Sequence, residues 1–385
     1  KQHSFPTRRS SDLELRAQID QIDKEMVSLF EQRMKVAEEV AKYKMAIGKP
    51  VLDRTRENEK IQSVKALAHT DFNQQGVESL FANLMTISRM RQYMLMAESG
   101  DVPYGFAEEE MSVNEQTKVV FAGVPGSNCQ QAMHQYFGKT IDSFDVPTFK
   151  EVIVAVEHGD AEYGVLPIEN SSTGIITDVY DLIAESDNCI VGEQDIKIEH
   201  ALLGVKGCQL SDIHTVYSHP QGLLQCKNFL KDMHWKEMTL ENTAIAARKV
   251  AQDNDKAQAA IASPLAADIY GLDILAEKIN DIHNNTTRFI IIKNKKHFKK
   301  SADKISICFE LPHESGSLYH VLSHFIFNGL NMSKIESRPV RGKRWQYRFF
   351  VDFDGNLSNK NVISALTGIG AETMNLHILG NYEAV

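Results

Sequence analysis

Asn284-Asn285-Thr286-Thr287-Arg288-Phe289-Ile290-Ile291-Ile292 sets amides, hydroxyls and a guanidinium directly before a short β-branched run. The run reads as a buried strand. A strand end is a rigid platform, so polar groups at its mouth are well placed to build a site. The pattern recurs upstream. Lys118-Val119-Val120-Phe121-Ala122 is a strand, followed by the tight turn Gly123-Val124-Pro125-Gly126-Ser127 and a helix from Gln130. Tyr163-Gly164-Val165-Leu166-Pro167-Ile168 runs into Glu169-Asn170-Ser171-Ser172-Thr173-Gly174. Val216-Tyr217-Ser218-His219-Pro220-Gln221 leads into a helix carrying Gln225, and Ala259 to Ser263 makes a fourth such turn. Strand, turn and helix N-terminus form a generic anion site, although one such turn alone is as often packing geometry. Alternating strands and helices over residues 117–294 predict an α/β unit with parallel sheets and ligand groups at strand carboxyl ends.

Residues 13–97 have a different period. Leu15, Ile19, Ile22, Met26, Leu29, Val36 and Val40 follow a 4-3-4-3 spacing, a long amphipathic helix of coiled-coil type stopped by Gly48 and Pro50. The seam place between Leu29 and Val36 is Arg33, and Lys44 lies on the same face. Asp53 is an N-cap for a second helix with Arg56 and Glu57 in its first turns. A third helix, from about Gln75 to Met96, has its apolar stripe broken by Ser88 and Arg91, with Gln92 one turn after Ser88. Any one break taken alone reads as a satisfied interfacial ion pair. Together they describe a polar, cationic pocket inside a helical bundle. A seam this long cannot be buried within so small a unit, which predicts a dimer.

Residues 98–116, polar and acidic with Gly100, Pro103 and Gly105, read as a flexible linker. Lys293, Lys295, Lys296, Lys299 and Lys300 crowd a second polar segment, read as a solvated linker rather than a nucleic-acid patch. Beyond it, strands over Lys304–Glu310, Met332–Pro339, 347–353 and 373–382 interleave with helices over 316–328 and 361–369. The order βαββαβ is ferredoxin-like.

The chain's 385 residues leave room for two or three domains, and its net charge of −9 argues against a general nucleic-acid binder. No apolar run approaches the ~18 residues of a membrane helix. Five scattered cysteines without a CxxC motif read as reduced thiols, which places the protein in the cytoplasm. Residues 1–12 have no helical period and no apolar core, and read as a non-native leader.

The helical unit resembles the all-helical chorismate mutase family. That resemblance implies a pocket of Arg33, Lys44, Asp53, Arg56, Glu57, Ser88 and Gln92, with Arg16 reaching into the partner subunit's pocket. Arg16 and Arg33 would clamp the carboxylates of chorismate. Lys44 and Gln92 would donate to its ether oxygen, and Glu57 would take the ring hydroxyl. No general base, metal or cofactor is needed. Gly-Val-Pro-Gly-Ser, Pro-Ile-Glu-Asn-Ser, Tyr-Ser-His-Pro-Gln and Thr-Arg-Phe resemble prephenate dehydratase, with two lobes like those of periplasmic-type binding proteins. The resemblance makes Thr287 the donor to the leaving hydroxyl, with Asn170, Ser218 and Gln225 around it and Ser127 as a substrate contact. Arg288 either pairs with a substrate carboxylate or orients Glu169. His219 is a general acid or, as favoured here, a turn histidine bonded to backbone.

Residues 303–385 resemble an ACT domain. Glu336-Ser337-Arg338-Pro339 and Gly316-Ser317-Leu318 stand at that family's phenylalanine-binding places, with a purely structural dimerisation module as the alternative. The implied whole is a multidomain enzyme: an all-α mutase, a two-lobed α/β dehydratase at 117–294 and an α+β regulatory domain. It forms an even-numbered homo-oligomer, acts on chorismate and prephenate, and responds to L-phenylalanine as effector. Retention of only one activity, or a non-catalytic amino-acid sensor, are the rival readings.

Overall fold

The computed structural model describes residues 8–98, 103–314 and 316–385. Three helices come first: α1 (Arg8–Ile47), α2 (Arg54–Lys65) and α3 (Asp71–Glu98). α1 ends at Gly48, whose φ of 66° no β-carbon-bearing residue adopts readily. It also runs back into the segment read as a non-helical leader, of which residues 1–7 lie outside the described ones. Asp53 caps α2, accepting from the Arg56 backbone N–H at 3.1 Å. α2 and α3 cover only the far end of α1. Leu15, Ile19, Ile22, Met26 and Leu29 on its first half are each about half exposed or more.

Residues 118–293 form two lobes. The first is a sheet ordered 142–146, 118–122, 163–170, 286–293, 189–197. The second is ordered 273–276, 201–204, 258–262, 215–218, 236–239. Both sheets are mixed rather than parallel as the alternation predicts. The chain leaves the first lobe after Lys197 and returns at Thr286, so the returning strand enters from the opposite end and pairs antiparallel with both neighbours. Its register sets Thr287 opposite Asn170, and Arg288 opposite Glu169 and Asp195.

The C-terminal unit has the expected order: strands Lys304–Glu310, Met332–Pro339, Tyr347–Asp354 and Met374–Tyr382, with helices Ser317–Phe327 and Lys360–Glu372. All strand pairs are antiparallel, in the spatial order fourth, first, third, second. This sheet is continuous with the first lobe. Gly380 bridges to Ile190, and a β-carbon on Gly380 would lie 2.1 Å from the Ile190 carbonyl oxygen. Only glycine permits that approach.

Both segments read as linkers are more ordered than composition suggests. Residues 99–102 lie outside the described ones, but Phe106 is buried in the core of the C-terminal unit and Tyr104 donates to the Leu366 carbonyl at 3.2 Å. Ala107 and Glu108 pair with His297 and Phe298, both buried. Three of the five lysines of the run are held in ion pairs: Lys293 with Glu162, Lys295 with Glu109, and Lys299 with Glu383. All five cysteines are free and buried. No helix among the described residues is long and apolar enough to cross a membrane.

Candidate active sites

The two lobes face each other across a cleft of about 690 Å³, with Ser127, Asn170, His219, Gln225 and Thr287 in its wall. Strand pairing brings Thr287 beside Asn170, and the Asn170 amide donates to the Thr287 hydroxyl at 2.8 Å. It also donates to Asn285 Oδ1 at 2.8 Å. Asn170 Oδ1 accepts from Ser172 N–H at 3.0 Å, Ser172 Oγ at 2.6 Å and Thr173 N–H at 3.1 Å. The carboxamide is therefore fixed at both ends, as an Asx turn fixes it. Thr287 Oγ accepts one bond, which leaves its own hydrogen for a group in the cleft. Gln225 crosses from the second lobe: its Nε2 donates to Ser172 Oγ at 3.3 Å, and its Oε1 lies 3.0 Å from His200 Nε2. Ser127 is buried at the cap of helix Asn128–Phe137, with its side chain accepting from the Gln130 N–H.

Two residues assigned to this site from the sequence do not face it. Ser218 is completely buried beneath Gly222 and donates to the Ile261 carbonyl at 2.7 Å. Its hydroxyl ties two strands together. Arg288 follows Thr287 on a strand and so points to the opposite face. It pairs with Asp195 at 3.2 Å and lies 3.7 Å from Glu193, with Glu169 its partner on the neighbouring strand, and it does not line the cleft. His219 takes the turn role: its Nδ1 accepts from the Gln221 N–H at 3.2 Å, and burial lowers its pKa.

Sequence reasoning missed four cleft residues. His200 is buried, with its pKa lowered by desolvation, and it begins the crossing into the second lobe. Asn242 and Thr243 open a helix, and Asn242 accepts from the Ala244 N–H at 2.7 Å. Asn-Thr before an alanine-rich run is an N-cap signal that could have found them. Arg248, one turn further, brings a guanidinium to the cleft wall.

A second cavity, of about 700 Å³, lies among α1, α2 and α3. Arg33, Lys44, Asp53, Arg56, Glu57, Ser88 and Gln92 all line it. Arg33 donates to Ser88 Oγ and, at 3.1 Å, to the Leu84 carbonyl. Lys44 donates to the Val51 carbonyl at 2.5 Å, and its pKa is lowered by burial and then by Lys49, against opposing pulls from Asp53 and Glu57. Burial also lowers the pKa of Arg33. Gln92 Nε2 donates to the Ser88 carbonyl at 3.1 Å, and its Oε1 is buried without a partner. A half-turn of that amide presents a donor to the cavity instead. Arg16 lies elsewhere, exposed and paired with Asp12 at 2.9 Å.

The two segments expected to bind phenylalanine are not brought into one cavity among the described residues. Ser317 borders a cavity shared with α2 and α3 and donates to the Pro312 carbonyl at 2.9 Å. Gly316 precedes it with φ 84°, and Leu318 follows in the helix. Glu336, Ser337, Arg338 and Pro339 lie on the edge strand. There Arg338 forms a two-pronged pair with Asp181 of the first lobe, at 3.2 and 2.8 Å.

Comparison with known proteins agrees with both cavities. Residues 15–93 match the type II chorismate mutase family, and residues 119–297 match prephenate dehydratase. The bifunctional chorismate mutase/prephenate dehydratase of Enterobacter agglomerans is 33% identical over 97% of this chain and 96% of its own length. That of Aquifex aeolicus is 32% identical over 96% and 97%. Among solved structures, the prephenate dehydratase of Arthrobacter aurescens in complex with L-Phe covers 70% of this chain and 90% of its own, at 29% identity and a TM-score of 0.65. A structure described as a quorum-quenching acylase, GqqA, covers 70% and 98% at 30% identity and TM-score 0.65. With relatives above 30% identity matching it from end to end, the chain belongs to the bifunctional chorismate mutase/prephenate dehydratase family.

Proposed function

We propose that the chain converts chorismate to prephenate in the helical cavity and prephenate to phenylpyruvate in the two-lobed cleft, under control of L-phenylalanine. The observation that carries the dehydratase reading is the Asn170–Thr287 bond, which leaves the threonine hydrogen free to donate. Prephenate loses its ring hydroxyl and ring carboxylate together, and the hydroxyl leaves as water only if it gains a proton. A threonine hydroxyl is too weak an acid to supply one unaided, so Thr287 relays or hydrogen-bonds it. Gln225, linked to His200 and Ser172, closes the site from the second lobe. Arg248, not Arg288, is the guanidinium suited to a substrate carboxylate.

In the helical cavity Arg33 and Arg56 hold the chorismate dianion compact. Lys44 and Gln92 face the ether oxygen as its C–O bond breaks, and Glu57 accepts the ring hydroxyl. Arg16 lies seventeen positions before Arg33, about 25 Å along α1, and cannot serve the same pocket. The bare apolar stripe beside it suits a second copy of this chain, which would supply Arg16 in trans and form a dimer of mutase units.

The C-terminal βαββαβ unit is an ACT-type, ferredoxin-like sensor. The L-Phe complex of the Arthrobacter relative covers more of this chain than residues 119–297 span, which supports phenylalanine as its ligand. The edge strand with Glu336–Pro339 and the helix start at Gly316–Leu318 would meet only across two copies. Purified protein fed chorismate should yield prephenate and then phenylpyruvate, both followed by absorbance. Consumption of neither acid refutes the proposal, and prephenate without phenylpyruvate leaves the mutase alone.

A further inference from the structure

Arg89 on α3 is buried in the wall between the mutase cavity and the C-terminal unit, and it lines the cavities on both sides. Its Nη1 donates to Glu57 Oε2 at 2.5 Å, its Nε to Glu372 Oε1 at 2.8 Å, and its Nη2 to Thr86 Oγ1 at 3.1 Å. Glu57 belongs to the mutase cavity, whereas Glu372 ends the last helix of the chain, 283 positions from Arg89. The second oxygen of Glu372 lies 3.4 Å from Nε2 of buried His324. The His324 ring in turn sits 5.8 Å from that of Tyr93 on α3. Gly368 makes this junction possible: a β-carbon there would lie 2.3 Å from His324 Cε1 and 3.0 Å from the Tyr93 ring. Burial alone would raise the Glu372 carboxyl, and His324 and Arg89 together hold it below its ordinary value.

We propose that Arg89 is a positioning residue of the mutase, locking the Glu57 carboxylate through a guanidinium that Glu372 of the C-terminal unit holds in place. The inference rests on the reading of Glu57 as acceptor of the chorismate hydroxyl. With Oε2 tied to Arg89, Glu57 keeps Oε1 for substrate and loses its rotamer freedom. The mutase pocket is thus completed by a side chain from the far end of the sequence. A shift of helix Lys360–Glu372 reaches chorismate through one guanidinium, without passing through the dehydratase lobes.

The test uses the full chain and four variants: Glu372→Gln, Arg89→Lys, Glu57→Ala, and Glu57→Ala with Glu372→Gln. Mutase kinetics on chorismate are read beside turnover of added prephenate, which reports that the chain is folded. Glu372→Gln should raise the mutase KM about tenfold with kcat changed less than about threefold, because the lost contact acts on bound substrate and transition state alike. Arg89→Lys should fall between it and the unaltered chain. The decisive arm is the double variant: on the Glu57→Ala background, Glu372→Gln should cost nothing further, since its route is gone. A purely structural Glu372 would cost the same with or without Glu57, and that additivity overturns the proposal. So does an unchanged KM in Glu372→Gln while Glu57→Ala is impaired. If Glu57→Ala itself leaves the mutase intact, the reading of Glu57 fails first, and with it this inference.

Discussion

Lys334 Nζ lies 2.8 Å from Glu169 Oε2, joining the strand that carries Glu336–Pro339 to the residue directly before Asn170. Both side chains are largely buried, and Lys334 also bonds the Tyr180 hydroxyl. Glu169 and Asn170 point to opposite faces of one strand, so the C-terminal unit grips the outer face of the platform whose inner face holds Thr287. The strand Thr286–Lys293, which joins Thr287 covalently to the segment leading into the C-terminal unit, is therefore accompanied by a shorter link across the sheet.

Replacing Lys334 by methionine keeps the packing stem and removes the charge. Dehydratase assays on prephenate should show the concentration of L-phenylalanine needed for half-inhibition rising at least about fivefold, a coupling of about 1 kcal/mol. The rate without effector should stay within about threefold. Inhibition unchanged by the substitution would remove this contact from the regulatory route.

Thr287→Ala should lower dehydratase kcat by about a hundredfold or more, the usual scale for loss of a donor aimed at developing charge. Thr287→Ser keeps the hydroxyl and should retain activity within about tenfold. Chorismate consumption should persist in both, because the helical cavity shares no residue with the cleft. Equal losses in Ala and Ser variants would mean that the methyl, not the hydroxyl, matters at this position.

The course of the backbone and most of both cavities were legible because they rest on local pattern. Period and caps located α1 to α3, and the resemblance to the chorismate mutase family implied eight pocket residues, seven of which line the helical cavity. Strand-to-turn transitions located Thr287, Asn170 and Gln225. The failures concern direction and long-range partners. Ser218 looked like its neighbours on a polar strand mouth, and only the sheet shows that its hydroxyl is spent on Ile261. Arg288 follows Thr287 directly, and the alternation of a strand alone sends it to the other face. Glu372 sits 283 positions from Arg89, and nothing in either local stretch marks the pair. Phe106 lay in a segment whose composition is that of a tether, yet its burial, the Tyr104 bond to Leu366 and the short strand at Ala107–Glu108 dock that segment.

As the proposed donor to the ether oxygen, Lys44 should give the mutase an alkaline limb. Its folded pKa is lowered, first by burial and then by Lys49, so its proton is lost at a lower pH than for an ordinary lysine. Donation to the ether oxygen requires that proton. Mutase kcat/KM, which reports free enzyme, should accordingly fall as pH rises through a midpoint below the usual lysine range. The dianionic substrate restores the charged form, so the corresponding limb of kcat should lie higher. Lys44→Arg carries a charge that does not titrate here and should abolish the limb in whatever activity remains. A limb that survives in Lys44→Arg would belong to another group.

The separation of Arg16 from the pocket that contains Arg33 makes its role testable by mixing two inactive proteins. Arg16→Ala and Lys44→Ala should each reduce mutase turnover at least about a hundredfold as homodimers. If Arg16 acts in trans, a mixed dimer holds one pocket with both defects and one with neither. After unfolding and refolding an equal mixture, half of the dimers are mixed and half of their pockets are intact, so about a quarter of the normal mutase rate returns. Dehydratase activity on added prephenate should be the same before and after mixing and serves as the refolding control. Ile22→Asp, in the bare stripe of α1, should prevent recovery on mixing and lower the mass seen by light scattering, leaving only association through the C-terminal units. Full mutase activity in an Arg16→Ala protein, or in an Ile22→Asp one of lowered mass, would show that each helical cavity is sufficient alone.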